Sequence, residues 1–165
     1  MIYLVRHCRA TGQEPDAPLT KEGEQQAKNL AAFFHKKEVS RIVSSPYARA
    51  TATIAPFSAA SGVPVQIDER LKERVLSKEP MDNWLTPLEQ SFLDPDYACV
   101  GGESARDALT RGRAVLDSLP KHTVVVSHGN LLALLLGFGF EEWKQMKNPD
   151  VFVLDAGRVE RVIPF

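Results

Sequence analysis

Apolar residues along the chain fall into short runs of strand length that alternate with segments carrying apolar positions at helical spacing. The first run, Ile2-Tyr3-Leu4-Val5, ends at Arg6-His7 and predicts a buried strand. After a polar loop with Pro15 and Pro18, Thr20 stands at an N-cap position, and Ala27, Leu30, Ala31 and Phe34 recur with the period of one helix face. Arg41 to Ser45 reads as a second strand closed by Pro46. Helical sequence resumes around Tyr47 to Ala55, where Pro56 is expected to end or kink the helix. Val63 to Ile67 predicts a third strand, and the stretch from about Glu73 to Glu103, with its prolines and Trp84, Phe92 and Tyr97, reads as irregular. Ser104 caps a further helix with Ala105, Ala108, Leu109, Gly112, Leu116 and Leu119 on one face. Thr123 to Val126 is another strand-like run, leading through Ser127-His128-Gly129 into an apolar helix from about Asn130. Val151 to Leu154 and Val159 to Ile163, joined by Ala156-Gly157, predict a closing hairpin.

This alternation predicts an α/β fold: three layers, with a mostly parallel sheet and helices on both faces. No repeat, low-complexity tract or linker interrupts it, so residues 1–165 are expected to form one domain, with an insertion at about 73–103 acting as a lid. A chain of 165 residues and formal charge −1 suits such a domain and speaks against a dedicated nucleic-acid partner. Cys8 and Cys99 provide no disulfide framework, which favours a reducing compartment. The first apolar run is too short to serve as a secretory signal. The longest, Leu131 to Phe140, falls short of the roughly 20 residues a bilayer requires. A cytoplasmic protein with no membrane partner is expected.

The reactive side chains gather at strand ends. Arg6 and His7 end the first strand, Arg49 lies one turn beyond Ser44-Ser45-Pro46, Glu73 follows the third strand, and His128 ends the strand that begins at Thr123. In an open α/β sheet the crevice lies outside the carboxyl ends of the strands, so these groups can share one site. Guanidinium forks match phosphate oxygens with paired hydrogen bonds, and a helix beginning at His128 adds amides that favour anions. His7-Cys8 mimics the start of a His-Cys-x5-Arg phosphatase loop, but the required arginine position is Glu14. A zinc site from His7, Cys8, Cys99 and His128 lacks the paired short spacings of zinc motifs. Cys8 reads as a small buried space-filler, oxidisable if an electropositive site lowers its pKa. His35 and His122 read as exposed bystanders, and Gly101-Gly102-Glu103-Ser104 as a helix cap.

Taken in order, Leu4-Val5-Arg6-His7, Leu19 to Ala27, Ser44 to Ala50, Leu71-Lys72-Glu73, Gly101 to Ser104 and Ser127-His128-Gly129 resemble the motifs of the histidine phosphatase superfamily, the phosphoglycerate mutase-like family. The resemblance runs from the first strand to the last helix. It implies a phosphoglycerate mutase-like fold and a metal-independent phosphomonoesterase working through a phosphohistidine, with no organic cofactor. It casts His7 as the nucleophile, Arg6, Arg49 and His128 as the groups that bind the phosphoryl oxygens, and Glu73 as the acid and base for leaving group and water. Its substrate would be a small phosphorylated metabolite or a phosphoprotein.

Family members usually read Arg-His-Gly, then an acidic or amide residue, then Ser or Thr; this chain has Cys8, Arg9 and Ala10. Glycine there would allow a positive φ or close approach to phosphate. Thr11 is the nearest substitute for the loop hydroxyl, and Arg9 and Gln13 become candidate substrate contacts. A mutase-like phosphotransferase and a noncatalytic phosphoryl-ligand-binding module stay open beside the hydrolase. Between Lys78 and Glu103 one lysine faces six carboxylates, which disfavours highly phosphorylated substrates, whereas Arg9, Arg70, Lys72 and Arg74 favour them. The insertion is small for a mutase that must retain a bisphosphorylated intermediate, which favours hydrolysis.

Overall fold

Successive side chains of a strand point to opposite faces of a sheet, so apolar runs such as Tyr3-Leu4-Val5 must be covered on both sides. The computed structural model, which describes residues 1–79 and 81–162, meets this demand with helices on each face of a six-stranded sheet. Pro80 of the Pro-rich stretch and Ile163 of the predicted hairpin lie outside the described residues. The strands are β1 (Ile2–Arg6), β2 (Arg41–Ser44), β3 (Val65–Ile67), β4 (Thr123–Ser127), β5 (Asp150–Asp155) and β6 (Arg158–Val162), in the spatial order β3-β2-β4-β1-β5-β6. The first four in that order pair in parallel, whereas β5 pairs antiparallel with both β1 and β6, so the sheet is mixed.

Helices α1 (Lys21–His35) and α2 (Ala48–Ser61) cover one face, with Leu30, Phe34, Ile54 and Phe57 packed on Tyr3, Val5, Ile42, Val124 and Val126. Helices α4 (Ala105–Leu116) and α5 (Gly129–Leu135) cover the other, with Ala108, Val115, Leu131 and Leu132 against Leu4, Val43, Val125 and Phe152. Two further helices, α3 (Leu85–Leu93) and α6 (Phe140–Lys144), pack against each other, with the ring centres of Phe92 and Trp143 6.4 Å apart. Among the described residues no helix is long and apolar enough to cross a membrane.

Local chemistry explains most of the boundaries. Thr20 accepts from Gly23 N (3.0 Å) and Ser104 from Asp107 N (3.0 Å), each satisfying an orphan amide at a helix start. The β5–β6 turn uses Ala156 and Gly157 at φ 50° and 80°, the two positive-φ positions of a tight hairpin turn. Three expectations are corrected. Helix α2 runs through Pro56 to Ser61, because the buried Ile54 and Phe57 hold the helix on the sheet despite the missing amide. The 73–103 stretch is not wholly irregular: it contains α3, whose Pro87 falls in the first turn, where an N–H has no helical partner to lose. Leu119 lies beyond the end of α4.

The connections from β1 and β4 decide where the site lies. These strands are neighbours, yet β1 leads to α1 on one face and β4 to α5 on the other. A crevice opens where connections diverge in this way.

Phe34 is fully buried and touches Tyr3, Phe33 and Phe57 at ring-centroid distances of 5.4, 5.0 and 5.4 Å. Phe34→Ala is expected to lower stability by about 3–5 kcal/mol, read as a fall in denaturant midpoint at constant slope. A loss under 1 kcal/mol would contradict the packing described.

Candidate active site

β1 ends by delivering His7 into the crevice, and three contacts fix it. Its amide donates to Ser127 O (3.1 Å), extending the β1–β4 ladder by one residue, and its carbonyl accepts from Asn148 Nδ2 (2.9 Å). Its Nδ1 lies 2.7 Å from Cys8 O. A carbonyl only accepts, so Nδ1 carries the proton and Nε2 presents its lone pair. The Nε–H of Arg49 reaches that lone pair at 3.3 Å. Burial lowers the His7 pKa to about 4, helped by the positive charges of Arg49 and Arg6 and opposed by the bond to Cys8. His7 is therefore a neutral imidazole with its Nε2 lone pair directed at Arg49.

His128 ends β4, fully buried, with its ring 5.2 Å from that of His7 and 5.1 Å from that of Tyr47. Its Nε2 is 2.8 Å from Ser45 Oγ, and that oxygen also accepts from Tyr47 N at 3.2 Å. Among the described residues the Ser45 hydroxyl has no other acceptor, so its proton belongs on His128 Nε2, leaving the ring proton on Nδ1. That Nδ1 is buried and has no partner among the described residues. Burial first, then His7 and the arginines, hold His128 well below its ordinary pKa. The group works as a neutral donor.

The arginines are anchored from behind. Arg49, in the first turn of α2 and nearly inaccessible, donates through Nη1 to Gln13 O (3.1 Å) and Glu14 O (2.9 Å), and its guanidinium lies 5.0 Å from the Tyr47 ring centre. Thr53 Oγ1 joins it to the loop after His7, donating to Arg49 O (2.7 Å) and accepting from Cys8 N (2.8 Å). Arg6 donates through Nη1 to Met146 O (3.0 Å), while its buried Nε has no partner among the described residues. A Cβ on Gly129 would lie 2.7 Å from that Nε, so the missing side chain makes room for the guanidinium.

Glu73 faces the same space from the β3 side. Its Oε2 accepts from Asn130 N (3.0 Å), and its Oε1 from Leu131 N (3.0 Å) and Arg74 N (2.8 Å). The backbone behind it is buckled by Arg111 of α4, which donates to Arg70 O (2.6 Å), Lys72 O (2.9 Å) and Glu73 O (3.3 Å) while pairing with Glu103 (2.7 Å). Burial would raise Glu103, but Arg111 and the Val75 amide outweigh it and hold the carboxyl below its ordinary range. Glu103 thus does more than precede a helix cap: it ties the 73–75 segment to α4.

The structure brings His7, His128 and Arg49 into contact, with Arg6 and Glu73 on the wall of an adjoining cavity of about 460 Å³ that Gln13 also lines. It does not bring Arg9 there: Arg9 is exposed and paired with Glu22 on α1 (3.1 Å). Thr11 is exposed as well. Cys8 is fully buried, and burial pushes its thiol up to about 12, leaving a small apolar filler rather than a reactive thiolate. Among the described residues the non-glycine positions at positive φ are His122 and Ala156, so position 8 needs no glycine for its backbone conformation. Among the described residues no cluster of three or more His, Cys, Asp or Glu could hold a metal ion. Ser45, Asn148 and Arg111 escaped sequence reasoning; only Ser45 stood in a quoted motif, and nothing near Arg111 marks it as a buckle.

Chemically, convergent cationic donors with a neutral histidine lone pair suit a tetrahedral oxyanion. For attack through Nε2, the Arg49 Nε–H must leave the lone pair. An entering oxyanion provides the reason, because a charge-assisted bond to it is stronger than one to a neutral ring.

The profile of the Histidine phosphatase superfamily (branch 1) matches residues 2–158. The protein named Probable phosphoglycerate mutase GpmB from Shigella dysenteriae is 32% identical over 171 residues, covering 88% of this chain and 78% of its own. Among solved structures, mycobacterial glucosyl-3-phosphoglycerate phosphatase superposes with TM-score 0.73 at 24% identity, over 92% of this chain and 87% of that one. Alpha-ribazole phosphatase from Shigella flexneri does so with TM-score 0.70 at 19% identity, over 98% and 94%. These structures share the fold.

Gly129→Ala tests the Arg6 placement, since the added methyl meets the movable end of a side chain. Stability should stay within about 0.5 kcal/mol, while calorimetric affinity for inorganic phosphate falls about tenfold. Unchanged affinity would remove Arg6 from the site.

Acid titration tests the histidine. The native pKa of His7 (about 4) lies below the ordinary 6.5, so between these values the unfolded chain binds the extra proton. Stability should therefore fall as pH drops from 6.5 toward 4, with His7 contributing roughly 2–3 kcal/mol of the loss. His7→Asn should flatten the decline in denaturant midpoint; a parallel decline in the variant refutes the assignment.

Proposed function

The chain belongs to the histidine phosphatase superfamily (branch 1), and from that premise we propose that it is a phosphomonoesterase that passes its substrate's phosphoryl group through His7. The observation that carries this reading is the His7 imidazole: neutral, with Nδ1–H tied to the Cys8 carbonyl and the Nε2 lone pair turned toward Arg49.

In the first half-reaction the Nε2 lone pair attacks phosphorus as Arg49 shifts onto a phosphoryl oxygen. The N–P bond forms, the P–O ester bond breaks, and the leaving alkoxide takes a proton from Glu73. Arg6, Arg49 and the Nδ1–H of His128 receive the charge that builds on the equatorial oxygens. In the second, water gives its proton to Glu73 and its oxygen to phosphorus, the P–N bond breaks, and phosphate leaves with His7 restored. The arginines supply the positive charge, so the scheme calls for no metal ion.

The phosphotransferase reading draws support from the relative named as a phosphoglycerate mutase. Label passing to an added alcohol rather than to water distinguishes it.

Incubation with a ³²P-labelled monoester, followed by a rapid denaturing quench, should yield a protein-bound phosphate that is labile to acid and stable to alkali. His7→Ala should abolish the label, and Glu73→Gln should slow turnover by roughly 10²–10⁴-fold. Hydrolysis of p-nitrophenyl phosphate should persist in chelator. Label retained on another residue in His7→Ala, or activity restored only by metal, overturns the scheme.

A further inference from the structure

The cavity beside Glu73 continues well beyond the phosphoryl site. Its volume of about 460 Å³ lies in the range of small-molecule sites. Past Arg6 and Glu73, its wall is made by Leu76, Met81, Trp84, Leu88 and Trp143. This wall is built from two parts of the chain. Trp84, next to α3, meets Trp143 of α6 edge to face at 6.2 Å, and Trp143 is braced by Phe140 at 5.7 Å.

Charge around the cavity is sparse. Arg74 is the one cation on its wall besides Arg6, among the described residues, and both its terminal nitrogens are engaged: Nη1 on Ser91 Oγ (2.6 Å) and Nη2 on Glu103 O (3.1 Å). Its Nε has no partner among the described residues but is buried, and the residue is only 5% exposed, so Arg74 offers the cavity little donor surface for a second phosphate. Of the other basic residues that the sequence offered for a second phosphate, Arg9 pairs with Glu22, Arg70 with Asp68 and Lys72 with Glu69 on the surface. None of the six carboxylates between Lys78 and Glu103 lines the cavity either. Of the opposed charges the sequence offered, only Arg74 reaches the cavity, and the wall past it is aromatic and aliphatic.

We propose that this cavity receives the alcohol portion of the substrate, and that the preferred substrates are small phosphomonoesters carrying one phosphate on an aromatic or extended apolar body. The proposal rests on the phosphomonoesterase reading. The ester oxygen lies at Glu73 and the ring lies against Trp84 and Trp143, where burial removes apolar surface from water. A second phosphate in the same place would lose its hydration against hydrocarbon, with only the buried remaining N–H groups of Arg74 to replace it.

The test compares alkyl esters with matched leaving groups: 3-phenylpropyl phosphate, propyl phosphate, glycerol 3-phosphate and fructose 1,6-bisphosphate. The kcat/KM for the phenylpropyl ester should exceed each of the others by about 30-fold or more. Trp84→Ala, at a half-exposed position, and Trp143→Ala should each cut the phenylpropyl-to-propyl ratio at least fivefold. A ratio near one, a ratio insensitive to both substitutions, or a preference for the bisphosphate overturns the proposal. If no ester is hydrolysed, the phosphomonoesterase reading fails instead. Calorimetry with 3-phenylpropylphosphonate then decides the cavity's role: tighter binding than propylphosphonate, weakened by Trp84→Ala, supports it, and equal binding rejects it.

Discussion

Everything in the site depends on the parallel pairing of β1 with β4. Its register sets Arg6 opposite Ser127, so the next residues, His7 and His128, leave the sheet side by side with ring centres 5.2 Å apart. A register slip of one residue would turn each side chain to the other face and bury the wrong one. The register is secured by cores on both faces, where Val5 and Val126 pack on one side and Leu4 and Val125 on the other. The diverging connections then open the space above these two residues. The helices do not merely cover the sheet; α2 brings Arg49 and α5 brings the amides that receive Glu73.

Within that frame the electrostatic design is one of neutral rings among fixed charges. Two buried histidines beside the buried Arg49 and the half-buried Arg6 would be repelled if protonated, and burial opposes their charging as well. Both rings therefore stay neutral, and each is held in one tautomer by an oxygen on its far side, Cys8 O for His7 and Ser45 Oγ for His128. One presents a lone pair and the other an N–H. Glu73 supplies the carboxyl group, held in place by backbone amides rather than by an ion pair, so the arginine donors stay available to a ligand. This division of roles follows from hydrogen-bond geometry.

The substitution of Cys8 for the family's usual glycine is accommodated on the opposite side from the chemistry. Its side chain fills the core between α1, α2 and the sheet, its amide is received by Thr53, and its carbonyl orients the His7 ring. Only that carbonyl takes part in the site, and any residue able to adopt this backbone conformation has one. Arg9 and Ala10 likewise turn toward α1 and Leu19, closing the loop with backbone bonds.

The sequence by itself determined the strand and helix alternation, the two-faced sheet, the helix caps at Thr20 and Ser104, the closing hairpin and the ordered family motifs, because each rests on periodicity or short-range chemistry. It misjudged α2 at Pro56 and overlooked α3, where tertiary burial and position within the first turn override the local signal of proline. Only the tertiary structure decided the tautomers of His7 and His128, the anchoring of Glu73 by Arg111, the removal of Arg9 to the surface and the apolar character of the cavity. These depend on contacts between residues tens of positions apart, whose orientation no local pattern encodes.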